Sequence, residues 1–174
     1  VRLGLSYRIV ELVEHSLEWQ AAFADERARL APVLPADCIL EHIGSTAVPG
    51  LVAKPILDIA IATTADPDAI KAVLAQVEYI YRGDAGAEGG HVFVRESAPR
   101  VRTHHVHLVR PDDPQLEGHR LFRDFLRATP AARDRYAAEK LTLASTFAVD
   151  RKAYTAAKQR IVERLLAEAR ATSR

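Results

Sequence analysis

An aspartate in the middle of the chain's most apolar run is the first residue that asks for a chemical explanation. Asp58 lies within Ile56–Ala62, and burying a carboxylate without a partner is expensive. Side chains alternate across a strand, so Leu57, Ile59 and Ile61 share one face, and Asp58, Ala60 and Ala62 share the other. The run His104–Val109 sorts the same way. Val106 and Leu108 go to the core with a structural His104, and His105 and His107 go to the opposite face. In His91–Arg95 the expected core residues are Val92 and Val94, which turns His91, Phe93 and Arg95 outward. If the three strands share a sheet, their polar residues meet on one face, and the small Ala60 and Ala62 leave room there for a ligand. The alternative is a half-solvated sheet face of the kind antiparallel sheets often keep.

Upstream of Asp58, the apolar stretch Cys38–Ile43 stops at Gly44, followed by Ser45 and Thr46. Such a turn offers backbone N–H groups and hydroxyls to phosphate oxygens. Lys54, held out of a helix by Pro55, stands at the entrance to the Asp58 strand as a phosphate contact or a loop lysine. His105 and His107, two apart on a strand, point the same way at a separation of roughly 6.5–7 Å. With Asp58 they make a conceivable transition-metal set, Zn²⁺ or Mn²⁺ rather than Mg²⁺. The competing reading is that they hydrogen-bond to phosphate or to Asp58.

The elements that must position these groups follow from caps and periodicity. Ser16–Leu34 predicts an amphipathic helix, and Asp66-Pro67 starts another. Tyr79–Tyr81 is a short strand, and the glycine-rich stretch Gly83–Gly90 is a loop. Beyond Pro111 the caps Asp113-Pro114, Thr129-Pro130 and Asp150 open three helices. The expected fold is α/β (α+β), a mixed sheet with helices on the Leu57/Ile59/Ile61 side. One domain spans 1–174, helical from about 113.

Composition narrows the class. The single Cys38 excludes an internal disulfide and a cysteine-based zinc site. No apolar run is long enough for a membrane span and the N-terminus shows no signal-peptide core, so the cytoplasm is the expected compartment. Residues 1–99 hold 8 Lys+Arg against 14 Asp+Glu, and residues 100–174 hold 16 against 9. Two halves that attract each other, or a basic wall facing an anionic ligand, both fit that asymmetry. The basic residues are spread, so nucleic acid is not an expected partner.

The string Glu41-His-Ile-Gly-Ser-Thr-Ala-Val-Pro-Gly-Leu-Val-Ala-Lys-Pro-Ile-Leu-Asp-Ile59 resembles the GrpB family. The likeness continues through His105-Val-His107-Leu and Phe122-Arg-Asp-Phe-Leu-Arg127, then Pro130, Tyr136, Lys140, Tyr154 and Lys158. The resemblance implies a nucleotidyltransferase-like protein that takes a nucleoside triphosphate and passes a nucleotidyl or phosphoryl group to a small acceptor. It implies phosphate binding by Gly44, Ser45, Thr46, Lys54, Arg123 and Lys140, to which the outward strand face adds Arg95, and a catalytic Asp58 holding a divalent metal (Mg, Mn or Zn). The chain departs from that plan at Ala60, where the superfamily's second carboxylate stands. The alternative is a non-catalytic nucleotide- or metabolite-binding module serving a partner enzyme, since a similar domain is found fused to dephospho-CoA kinase. This chain has no Walker A loop, so it is not that kinase.

Overall fold

The computed structural model describes residues 3–86 and 90–172. A short strand β1 (Leu5–Ser6) precedes helix α1 (Glu18–Leu30), strand β2 (Ile39–Ile43) and strand β3 (Leu57–Ala62). Helix α2 (Pro67–Gln76), strands β4 (Tyr79–Asp84), β5 (His91–Ala98) and β6 (Val101–Val109) follow. Helices α3 (Pro114–Ala128), α4 (Pro130–Thr146) and α5 (Arg151–Thr172) complete the chain. Residues 87–89 of the glycine-rich loop lie outside the described residues.

Local chemistry accounts for most boundaries. Asp66 and Asp113 accept the amides of Asp68 and Gln115, each beside a first-turn proline, and Asp150 accepts the Ala153 amide. Ser16 Oγ accepts the Glu18 amide, but α1 ends at Leu30, a turn short of the expected Leu34.

The sheet runs β2-β3-β6-β5-β4, with β1 also paired to β6. β3 and β6 are parallel and the other pairs antiparallel. One face is the main core, where Leu30 of α1 and Ile70 and Leu74 of α2 pack on Ile59, Ile61, Phe93, Val106 and Leu108. Each such fully buried side chain contributes roughly 1.5–3 kcal/mol.

Two expectations about the sheet need correction. Antiparallel pairing sets Phe93 opposite Val106 and Arg95 opposite His104, so Phe93 and Arg95 face the α1/α2 core. Val92 and Val94 instead stand opposite His107 and His105, on the Asp58 side. Alternation was read correctly, but its phase depends on which neighbour each residue meets. The second correction concerns Ala60 and Ala62. They are 1% exposed and packed with Ile43, Val109 and Leu116, so the space they leave admits α3, not a ligand.

Arg95 therefore belongs to a buried polar hub on the core face. Glu26, 4% exposed, accepts from Arg29, from Tyr79 Oη at 2.8 Å and from Arg95 Nη1 at 3.1 Å, and His104 Nε2 lies 4.0 Å away. Burial alone would raise the Glu26 pKa, but these donors hold it below the ordinary glutamate value. Burial likewise pushes His104 down to about 4, so it is neutral at physiological pH. Removing the carboxylate strands the donors, so Glu26→Ala should cost about 3–5 kcal/mol. Urea denaturation of the two proteins measures it, and a loss below about 1 kcal/mol contradicts the hub.

Candidate functional site

Asp58 stands on the second face of β3, opposite Ile43 on one side and His105 on the other. Its side chain keeps 31% of its surface open. His105 Nδ1 lies 3.1 Å from Asp58 Oδ1, as a parallel register that pairs these two residues requires. Burial would raise the Asp58 pKa. The His105 hydrogen bond, with the charges of His105, His107 and Lys54, outweighs that and holds the carboxyl well below its usual range.

Gly44 closes over this carboxylate. Its φ of 70° is left-handed, and a Cβ on it would stand 2.9 Å from Asp58 Cβ, so glycine is required twice over. The chain then makes a single tight turn, Ser45–Ala47. Ser45 Oγ accepts from Lys140 Nζ at 3.1 Å, and the same ammonium donates to the Val52 carbonyl. Lys140 is 2% exposed and sits 4.6 Å from the Tyr136 ring centroid. Burial, then Lys158 and Lys54, depress its pKa well below the lysine value.

Two further cations arrive from α5. Burial brings Lys54 down to about 7, and Lys158 and Arg151 push the same way against Asp58. Lys54 Nζ lies 5.3 Å from the Tyr154 ring, which rises from the same stripe of α5 as Arg151 and Lys158. The Arg151-x-x-Tyr154-x-x-x-Lys158 spacing puts all three on one helix face. That spacing was the available sequence signal for Arg151. Nothing in the sequence pointed to His119 of α3, whose ring is 5.5 Å from His107 and which burial, then His107, holds near 4.

Of the residues singled out from sequence, the structure gathers Gly44, Ser45, Lys54, Asp58, His105 and Lys140. Thr46 is buried, with Oγ1 2.9 Å from His42 Nε2 and a long bond to the Ile56 carbonyl, so its hydroxyl braces the turn. Arg123 is spent on Glu41 at 3.0 Å and the His42 carbonyl at 3.1 Å, outside the Asp58 cluster. Arg95 is on the opposite face of the sheet, in the Glu26 hub.

The metal expectation fails a direct fit. Among the described residues no three His, Cys, Asp or Glu side chains are arranged to hold an ion. His105 spends Nδ1 on Asp58, and His107 stands opposite Ala60 with its ring against His119. Mg²⁺ calls for oxygen ligands, whereas the Asp58 carboxylate lies within electrostatic reach of Lys54, Lys140 and Arg151. No step through a metal follows from these residues.

Two substitutions test this geometry. Gly44→Ala forces a Cβ against Asp58 and should cost about 2–4 kcal/mol in urea denaturation, a loss attributable to strain and overlap. Lys54 loses its proton near pH 7 when folded but keeps it to the ordinary lysine value of 10.5 when unfolded. Its contribution to stability therefore rises with pH across that window. Lys54→Met should flatten that rise and stabilise the protein below pH 7 by about 1–3 kcal/mol. A variant destabilised at every pH contradicts the buried-cation assignment.

The model of the family described as "GrpB protein" matches residues 9–168. The UPF0157 protein PA4798 of Pseudomonas aeruginosa is 36% identical over 95% of this chain and 69% of its own length. The glutamate-rich protein GrpB of Alkalihalophilus pseudofirmus is 30% identical over 95% of this chain and 99% of its own. The UPF0157 protein YqkA of Bacillus subtilis is 36% identical over 79% of this chain, which spans only 40% of that longer protein. Among solved structures, the conserved protein GrpB from Enterococcus faecalis superposes with a TM-score of 0.79 at 31% identity, covering 91% of this chain and 98% of that one. The Cid1 poly(U) polymerase, solved with Mg and 3′-dATP, matches with a TM-score of 0.54 at 12% identity, over 83% of this chain and 49% of that one. The fold is therefore nucleotidyltransferase-like, and the chain belongs to the GrpB family.

Proposed function

We propose that this protein binds the phosphate groups of a nucleotide or another phosphorylated small molecule beside Asp58, using fixed cations of its own in place of a metal ion. The observation that carries this reading is the convergence of Lys54, Lys140, Lys158 and Arg151 from three separate segments on a site with a single carboxylate. Like charges gathered in a desolvated place repel one another, and an arriving polyanion relieves that cost. Lys140 is pinned by Ser45, Val52 and Tyr136, so its Nζ is held in place before a ligand arrives. Lys54, near neutrality, takes up a proton when phosphate comes close.

A second reading rests on the Asp58–His105 hydrogen bond. A carboxylate that orients an imidazole is the arrangement of a general base. It would take the proton of an acceptor hydroxyl as that oxygen bonds to phosphorus and pyrophosphate departs toward the lysines.

Calorimetric titration of ATP in excess EDTA tests the first reading. Binding should persist in chelator, weaken about tenfold in Lys158→Ala, and weaken from pH 7 to pH 9 as Lys54 loses its proton. Binding that needs Mg²⁺, or no binding under either condition, overturns it. Release of pyrophosphate in the presence of an acceptor separates the second reading from the first.

A further inference from the structure

Beyond the Asp58 site, the tyrosine near the N-terminus is surrounded by positive charge that the protein does not neutralise. The guanidinium carbons of Arg102, Arg82 and Arg100 lie 4.2, 5.6 and 5.7 Å from the Tyr7 ring centroid. One carboxylate, Glu96, lies among them and pairs with the Arg82 side chain. It accepts from Tyr7 Oη at 2.6 Å, from Arg82 Nη2 at 3.1 Å and from the Arg100 backbone amide at 2.9 Å. The Arg100 side chain takes no share of it.

Arg102 is the sharper anomaly. It is 3% exposed, and its Nε and Nη2 are buried with no hydrogen-bond partner. Its Nη1 reaches only His105 Nε2, at 3.5 Å. A buried guanidinium with orphaned donors is costly by itself, and it packs on the ring of Tyr7, which lines an open cleft. Arg8, Arg100, Arg151 and Lys152 line that cleft, whose volume is about 970 Å³. Its one acid, Asp150, is occupied in capping α5 through the Ala153 amide. Arg151 makes no side-chain hydrogen bond or ion pair among the described residues; it lines the cleft with Tyr7 and lies within reach of the Asp58 charge.

We infer that the Tyr7 cleft is a second anion-binding site, for a phosphate or carboxylate group held by Arg8, Arg100 and Lys152 at its mouth with Arg102 charged beneath. Arg151 on one side, and the Arg102–His105–Asp58 contacts on the other, join it to the first site. A ligand with anionic groups at both ends, or an anionic second ligand, fits that layout. The site does not depend on the phosphate reading of the Asp58 cleft.

Inorganic phosphate and citrate are the probes, each titrated into ¹⁵N-labelled protein at constant ionic strength against chloride. The Arg8, Val149, Lys152 and Thr155 amides should shift along a saturable curve with at least one probe, and the two curves tell phosphate from carboxylate preference. The double variant Arg100→Asn/Lys152→Ala changes exposed side chains only, and Asn tolerates the left-handed φ of residue 100. It should weaken that curve about tenfold with an unchanged melting temperature. Lys158→Ala, which removes a cation of the Asp58 cleft, should leave it intact, so the two sites succeed or fail separately. Shifts that match chloride, or that survive the double variant undiminished, overturn the inference.

Discussion

A carboxylate held among cations in a partly desolvated place organises one whole side of this molecule. Asp58 comes from the start of β3, and the charges that balance it come from β6, from the segment before Pro55 and from α4 and α5. Those elements are far apart in sequence, so the sheet register and the helix docking must both be right before the charges meet. The docking is apolar: Val48 and Leu51, directly after the glycine turn, pack with Leu126, Ala132, Tyr136, Ile161 and Leu165. The Val-Pro-Gly-Leu stretch thus seats the helical tail on the sheet, and that seating delivers Lys140 to Ser45. Gly44 is the tightest point of the arrangement, because its backbone occupies the space a side chain would need against Asp58.

The two faces of the sheet carry buried acids with opposite bookkeeping. Glu26 on the core face is matched by Arg29, Arg95 and Tyr79 and has every oxygen engaged. It closes a structure. Asp58 is over-matched, and the excess is positive. Buried cations without carboxylates lower stability, and a fold keeps such groups most readily where a ligand repays them. The contrast between the faces, more than any single residue, separates the Glu26 hub from the Asp58 cluster.

The same reasoning bears on how this chain relates to metal-dependent members of its fold. A metal-bound phosphate site concentrates carboxylates around an ion. Ala60, two residues beyond Asp58 on the same face, carries no ligand atom and is packed with Leu116 of α3. Around Asp58 this chain instead gathers Lys54, Lys140 and Arg151.

Periodicity and caps, which act within a few residues, made much of this legible in the sequence. The alternation in Leu57–Ala62 and His104–Val109 placed Asp58, His105 and His107 on a common face. Asp66-Pro67, Asp113-Pro114 and Asp150 marked three helix starts. Gly44 at the end of Cys38–Ile43 marked the turn that follows β2. Tertiary structure alone decided the rest. The phase of β5 hung on antiparallel pairing, which carried Arg95 to the Glu26 hub instead of the site. Ala60 and Ala62 looked like room for a ligand until α3 filled it. Arg123 and Thr46 had the right chemistry but were claimed by Glu41 and His42. Lys158, Arg151 and His119 reach their places only through helix packing. Local order is written in neighbouring residues, whereas which charges meet depends on contacts between segments about a hundred residues apart, as with Lys140 and Ser45.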